Sequence, residues 1–310
     1  MPLKKILSVF LPLSFLFLLF THPVQATEGC SLGLTLWYTS VLPSLLPFLI
    51  VSALMVKTGL FRYLNRLYAP LLRKIFRISE DSCYAVLMGF LCGFPMGAKV
   101  TADLVREQHI SKEEGTYLLG FCNNVSPSFF INYICLKKLG YPKVPWALCV
   151  FFYAIPLLYG LCSRPFYHFP FSDTTNKKQA PLHRMQFPML DACIMDSFAT
   201  VTRLGGYIIL FSILVRMMQL LPLPDTLSVL VSSLLEISCG IHQITTLTAH
   251  PARLITAYAC ACASFGGLSI CAQTNSVLHD TPLNARSWIT GRIILALLTP
   301  ILLLLLPIPV

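Results

Sequence analysis

The stretch GFPMGAKVTADL, residues 93–104, lies in an apolar segment that is long enough to cross a lipid bilayer. Gly93 and Gly97 loosen the backbone, and Pro95 between them lacks the amide donor that a continuous helix requires. Broken backbone at membrane depth persists only where it is buried in protein or lines a water-filled cavity. The stretch therefore predicts a re-entrant helical hairpin within a membrane protein.

The composition of the whole chain agrees with a membrane environment. Of the 310 residues, 55% are apolar and only 12% are charged, and the mean hydropathy is +0.71. Such a chain has too little polar surface for a soluble globule. Membrane spans are predicted for the apolar runs 34–56, 146–162, 207–221 and 289–306. The predicted fold class is an all-α, polytopic integral membrane protein located in the cell membrane.

The charge pattern indicates topology rather than nucleic-acid binding. The formal net charge is +10, but the basic residues are spread through the links between apolar segments. Lys and Arg flanking a span resist translocation, so residues 57–82, 99–115 and 163–190 are predicted to be cytoplasmic. The lysine-rich link 137–145 is an exception, since it must face outward if both flanking helices span. The lipid bilayer is a predicted partner, and nucleic acid is not.

The first 26 residues have two interpretations. Lys4 and Lys5 precede an apolar run over residues 6–20, and Val-Gln-Ala follows at positions 24–26. This pattern is typical of a signal peptide with a small-residue cleavage site. The same run also suits an uncleaved first transmembrane helix, and both alternatives stay open.

An internal repeat organises the rest of the chain. Residues 41–54 align with 201–214, and residues 89–101 align with 262–274, which sets Gly93 against Gly266. An amphipathic pattern over residues 67–78 predicts a helix at the membrane surface. The predicted parts are a first repeat at 33–138, a linking transmembrane helix at 144–162, a cytoplasmic loop at 163–195 and a second repeat at 196–308.

The linking helix gives an odd number of crossings before the second repeat, which inverts it. Two inverted repeats, each with a re-entrant or broken helical hairpin, are the architecture of secondary transporters. Whether residues 226–248 span the membrane or lie along its surface stays open.

The first candidate binding residues belong to the predicted hairpin. A half-helix that begins after Pro95 has free backbone N–H groups, which attract anions. Lys99, one turn further, adds a positive charge, although it also suits a side chain that extends to the lipid headgroups. The candidates for solute binding in this hairpin are Gly93, Pro95, Gly97, Lys99 and Thr101.

The second candidate group lies in the stretch FCNNVSPSFF, residues 121–130. Polar and helix-breaking residues in the centre of an apolar segment are predicted to face a cavity, because lipid cannot satisfy them. Hydrogen bonds between helices are the alternative use for such side chains. The candidates here are Asn123, Asn124, Ser126 and Ser128.

The third candidate group is in the second half. The paired glycines of SFGGLS, residues 264–269, predict a second re-entrant tip, and the polar run QTNS follows at 273–276. The candidates are Gly266, Gly267, Gln273 and Asn275. Glu236 is a further candidate, since a carboxylate on an apolar helix is partnered or functional. If that helix lies at the membrane surface, Glu236 is simply solvated.

The sequence contains no pattern typical of catalysis. Hydrolase elbows, zinc helices and Walker loops are absent, so no enzyme activity, catalytic residue, metal or cofactor is predicted. The twelve cysteines include no CxxC pair and stand singly in apolar segments, which suits a packing role.

The motifs at residues 93–104 and 121–127 carry a family resemblance. Together with LEISCG at 235–240 and GGYI at 205–208, they resemble the sporulation integral membrane proteins of the YlbJ type, within the nucleoside-recognition or Gate-domain superfamily. The resemblance implies a membrane carrier of endospore formers, in a membrane around the forespore, that delivers dipicolinate. The signal-like N-terminus departs from the usual pattern of that family.

The leading hypothesis is a secondary-type carrier for a small solute, an anionic carboxylate similar to dipicolinate, held between two broken hairpins. A coupling ion and a homo-oligomer are further partners that this class allows. The alternatives are a non-transporting scaffold or accessory subunit of a sporulation complex, and a nucleoside-type carrier.

Overall fold

The structure is a computed structural model that describes residues 3–170, 185–247 and 250–309. Within those ranges all regular structure is helical. The predicted cytoplasmic residues Lys177 and Lys178 lie outside the described residues.

The N-terminal half contains α1 to α7 and a π-helix. Their bounds are α1 Leu3–Thr21, α2 Pro23–Leu36, α3 Leu42–Thr58, α4 Phe61–Phe76, α5 Ser82–Leu91, α6 Met96–Arg106 and α7 Lys112–Cys122, followed by the π-helix Phe129–Lys138. A short π-turn, Trp37–Val41, joins α2 to α3. The segment predicted as a surface helix, 67–78, is largely helical as part of α4, which has a basic, strongly amphipathic sequence. Its place at the membrane surface stays a prediction.

The second half begins with α8 and continues to α14. The bounds are α8 Trp146–Ser163, α9 Phe187–Met218, α10 Asp225–Leu235, α11 Ile237–Ile244, α12 Ala252–Phe265, α13 Gly267–Val277 and α14 Arg286–Leu305. A 3₁₀ turn, Arg164–Phe166, follows α8.

Several of these helices are long and apolar enough to cross a membrane. Among the described residues they are Trp146–Phe166, Phe187–Met218, Ala252–Val277 and Arg286–Leu305, and the bent pair Pro23–Thr39 and Leu42–Thr58 counts as a fifth. The predicted polytopic helical class is confirmed. The predicted span at 207–221 is part of the longer helix α9, which begins within the polar sequence predicted as a loop up to residue 195.

The glycine motif of the first half forms a tight hairpin. Residues 92–95 separate α5 from α6, and the Phe94–Pro95 peptide is cis. The two helices touch where a Cβ on Gly89 would lie 3.0 Å from the Cα of Gly97. Because neither glycine has a side chain that would keep the helices apart, α5 and α6 pack against each other and form the predicted hairpin.

The second half differs from the predicted arrangement. Residues Ala252–Val277 qualify as one span that is interrupted at Gly266, rather than as a hairpin. The hairpin is instead α10–α11, where a Cβ on Gly240 would lie 2.4 Å from the Cα of Ser233. The sequence alignment of residues 89–101 with 262–274 therefore matched a hairpin to an interrupted span, because a glycine at positive φ suits both features.

Residues 226–248, whose course the sequence left open, fall largely within the α10–α11 hairpin.

Helix α2 packs against α9 through two glycines spaced four residues apart. A Cβ on Gly33 would lie 2.6 Å from the Cα of Ile209, and one on Gly29 would lie 2.8 Å from the Cα of Ile213. This close contact of backbones joins α2 to α9.

Candidate functional site

Each helical hairpin contacts a second chain break in its own half. In the first half, a Cβ on Gly93 would lie 2.4 Å from the backbone nitrogen of Ser126, in the break between α7 and the π-helix. In the second half, a Cβ on Gly267 would lie 3.1 Å from the carbonyl oxygen of Leu235, beside the α10–α11 turn. Both hairpin tips thus lie at a chain break.

Phe94 joins the first hairpin tip to the second half. A Cβ on Gly266 would lie 3.4 Å from the Phe94 ring. The same ring meets Trp288 of α14 edge-on, with 6.0 Å between the ring centroids. Phe94, Gly266 and Trp288 thus lie together, so the chain breaks of both halves are in one region. We call this region the junction.

Asn123 is the polar centre of the junction. Its side-chain oxygen accepts a hydrogen bond from the Ala98 backbone N–H at 3.3 Å, near the start of α6. Its amide nitrogen donates to the Thr274 hydroxyl at 3.2 Å, and its backbone oxygen accepts from the Trp288 indole at 3.1 Å. Asn123 and Thr274 are fully buried. One residue thus links α6, α13 and α14.

Arg292 is a charged residue of this region that the sequence reasoning missed. It lies in α14, one turn after Trp288, and only 2% of its surface is exposed. Its Nη1 donates to the side-chain oxygen of Asn124 at 2.8 Å. Its Nε and Nη2 have no hydrogen-bond partner among the described residues. An arginine inside a long apolar run was the sequence signal that could have identified it.

Lys99, in contrast, is neutralised within the protein. Its ammonium group lies 2.8 Å from a carboxylate oxygen of Asp103 and 2.7 Å from one of Asp196 on α9. Arg106 also contacts Asp103, at 2.6 Å. Lys99 is buried, so its side chain does not extend to the headgroups. The structure gives its charge two internal partners, and the role predicted for Lys99 in solute binding stays a prediction.

Glu236 has a local structural role that the sequence did not reveal. It lies between α10 and α11 and caps α11, because its Oε2 accepts a hydrogen bond from the Cys239 backbone N–H at 2.8 Å. Only 7% of its surface is exposed, which excludes the simple solvated carboxylate of the alternative interpretation. Glu236 therefore holds the second hairpin tip.

The other predicted residues divide between the junction and its surroundings. Gly97 packs against the backbone of Asn123, since a Cβ on Gly97 would lie 2.8 Å from that Cα. Thr101 donates to the Gly97 carbonyl oxygen at 2.7 Å, and Gln273 donates to Ser269 of its own helix at 3.1 Å. Ser128 and Asn275 are exposed. The buried amides and hydroxyls of the predicted polar chamber form hydrogen bonds with one another or with nearby backbone atoms, and the chamber itself stays a prediction.

The twelve cysteines all lie in described residues and are free thiols.

A cleft of about 380 Å³ lies away from the junction, between α2, α9 and α11. It is lined partly by the ion pair of Arg216 with Glu28, whose Nη2 and Oε2 atoms lie 2.5 Å apart.

Comparison with known proteins identifies a relative along most of the chain. The chain is 28% identical over 334 aligned positions to the sporulation integral membrane protein YlbJ of Bacillus subtilis (strain 168), which covers 95% of this chain and 81% of that protein. No family model matches, and no solved structure matches. The similarity confirms the resemblance to proteins of the YlbJ type that residues 93–104 and 121–127 carry. Together with the long apolar helices, it supports a multi-pass location in the membrane.

Proposed function

We propose that this protein is a secondary-type carrier for a small anionic carboxylate, and that the solute binds at the junction between the two halves. The relative's name places that protein in sporulation, and we extend this setting to the present chain. A compound similar to dipicolinate, which the family resemblance implies, is the first solute to test.

An inverted arrangement of the two halves is part of the proposal, and two contacts support it. The open end of the α5–α6 hairpin lies beside the start of α7, where the Ser79 backbone N–H donates to Glu114 at 2.6 Å. The open end of α10–α11 lies beside the end of the π-helix, where Lys138 Nζ lies 3.1 Å from His242. In this proposal α7 and the π-helix together cross the membrane, so the two hairpins enter it from opposite faces.

This arrangement also changes which helices of the first half correspond to which helices of the second half. The α5–α6 hairpin corresponds to α10–α11, and the interrupted span of α7 and the π-helix corresponds to α12–α13. The linking helix α8 then corresponds to α14. Paired hairpins and interrupted spans in inverted copies are typical of carriers that bind solute near the bilayer midplane.

The hydrogen bonds of Asn123 are the observation that carries the proposal. A single buried amide contacts the first hairpin and the second half, so a movement of one half against the other changes its partners. Backbone N–H groups at the start of α6 add a partial positive charge there. A small anion that replaces these internal contacts would be bound where the two halves meet.

Reconstitution in liposomes tests the function. Purified wild-type protein should take up pyridine-2,6-dicarboxylate, whereas Asn123→Ala should reduce the initial rate by about tenfold, because buried partners lose their hydrogen bonds. Asn132→Ala is the matched control, since Asn132 is exposed on the π-helix and bonds only locally to Ser128.

Absence of uptake for a panel of carboxylates and nucleosides by folded wild-type protein would contradict the carrier proposal. A stable protein partner in that case would favour the scaffold. Uptake of nucleosides without carboxylates would favour the nucleoside-type carrier.

A further inference from the structure

Arg292 is an unusual group to find at the centre of a membrane protein. It is 2% exposed and is the one charged residue of α14 beyond its first residue, Arg286. A buried cation is costly unless a counter-ion or several hydrogen bonds compensate it. The only hydrogen bond found for its guanidinium among the described residues is the one from Nη1 to Asn124.

The remaining donors of Arg292 have a specific geometry. Nε and Nη2 are both buried and without a hydrogen-bond partner in the described part of the chain. These two atoms form one edge of the planar guanidinium, and their N–H bonds run parallel. That edge matches the two oxygens of a carboxylate.

The ion pairs of the structure separate Arg292 from the other buried cation. Lys99 has carboxylates at 2.8 Å and 2.7 Å, but no described acidic side chain forms a salt bridge with Arg292. Of these two buried cations, the one without a counter-ion among the described residues is therefore on α14 and not in the first hairpin.

We infer that the Nε–Nη2 edge of Arg292 binds a carboxylate group of the solute in a two-point contact. Asn124 orients the guanidinium through Nη1, and Trp288 positions α14 against Asn123 one turn earlier. This inference rests on the proposed carrier function, from which it takes the presence of a solute at the junction. It names the group that would select carboxylates over uncharged solutes.

Binding and flux are measured separately to test the inference. The melting temperature of purified protein is recorded with benzoate, isophthalate, inorganic phosphate and uridine, and uptake is recorded in liposomes. We expect carboxylates to raise the wild-type melting temperature. Arg292→Gln and Arg292→Lys should each weaken the apparent carboxylate affinity by at least about tenfold. Arg292→Lys is included because lysine keeps the charge but lacks the two parallel N–H donors of the guanidinium.

Asn124→Asp covers the case in which the Arg292 variants do not fold. This substitution supplies an internal carboxylate beside Nη1, so the solute-free melting temperature should rise while stabilisation by added carboxylate is lost. Arg286→Gln is the matched control, since Arg286 is an exposed arginine at the start of the same helix, and it should behave like wild type.

The outcomes distinguish the inference from the carrier proposal. Carboxylate binding that is lost in the Arg292 variants and in Asn124→Asp supports the site even if wild-type protein shows no flux. Wild-type affinity in either Arg292→Gln or Asn124→Asp overturns it, even if flux is present. Lack of stabilisation of wild-type protein by any carboxylate also overturns it.

Discussion

At the scale of single residues, the buried cations Lys99 and Arg292 have different surroundings. Lys99 lies between Asp103 and Asp196, whereas Arg292 has an amide contact and two unpartnered nitrogens among the described residues. The sequence predicted a charge at the first hairpin, because Lys99 follows the glycine motif. It could not reveal the Asp196 partner, which comes from a distant helix, and it did not identify Arg292 among the apolar residues of α14.

The ion pairs of Lys99 lead to a prediction about stability. Lys99→Met leaves Asp103 and Asp196 without that partner, so the free energy of unfolding should fall by about 3 kcal/mol, a typical loss for one member of a buried pair. The double variant Lys99→Met/Asp103→Asn should recover part of the loss. Thermal unfolding in detergent measures both, with Lys112→Met, at an exposed lysine, as the control.

Uptake by the same variants separates stability from solute binding. If Lys99 only stabilises the fold, the double variant should transport at a rate close to wild type. A folded double variant without uptake would instead support the role in solute binding that the sequence predicted for Lys99.

At the scale of elements, close contacts of glycines determine how the hairpins pack. The motif at residues 93–104 predicted the first hairpin correctly, because Gly93 adopts a positive φ and Gly97 faces Gly89. The second hairpin was missed because its turn at Glu236 contains no glycine or proline. Gly266 has a positive φ as well, but there it interrupts a span, and sequence alone does not distinguish a turn from an interruption.

Gly240 provides the prediction at this scale. Gly240→Ala places a Cβ 2.4 Å from the Cα of Ser233, so α10 and α11 must separate, and the free energy of unfolding should fall by about 1–3 kcal/mol. Gly206→Ala in α9 is the control, because no atom lies within 4 Å of its added Cβ. Its stability should stay the same or rise slightly. Equal melting temperatures for both variants would contradict the close packing of the second hairpin.

At the scale of the whole molecule, composition alone predicted a polytopic helical protein, since apolar runs of sufficient length require lipid. The pairing of the two halves was harder to predict. Apolar helices align with one another at low identity, so the repeat in the sequence matched 89–101 with 262–274. The proposed arrangement pairs α5–α6 with α10–α11 instead, and the contacts of Ser79 with Glu114 and of Lys138 with His242 are its support.

The proposed inverted arrangement predicts opposite accessibility for the two hairpins. Glu107→Cys, after α6, and Thr246→Cys, after α11, are both at exposed positions. With the exposed Cys162 replaced by Ser, a membrane-impermeant maleimide should label position 107 from the cytoplasmic side and position 246 from the other side. Labelling of both cysteines from the same side would refute the inverted arrangement.

The pairing of Asn123 with Thr274 and Trp288 has a consequence for leakage. Separation of these groups without replacement would leave several buried donors and acceptors unsatisfied, at about 1–3 kcal/mol for each. The empty protein would then resist rearrangement, while a solute that offers its own oxygens would lower the barrier. In the proposed carrier, a resting state of this kind would limit idle cycling across the membrane.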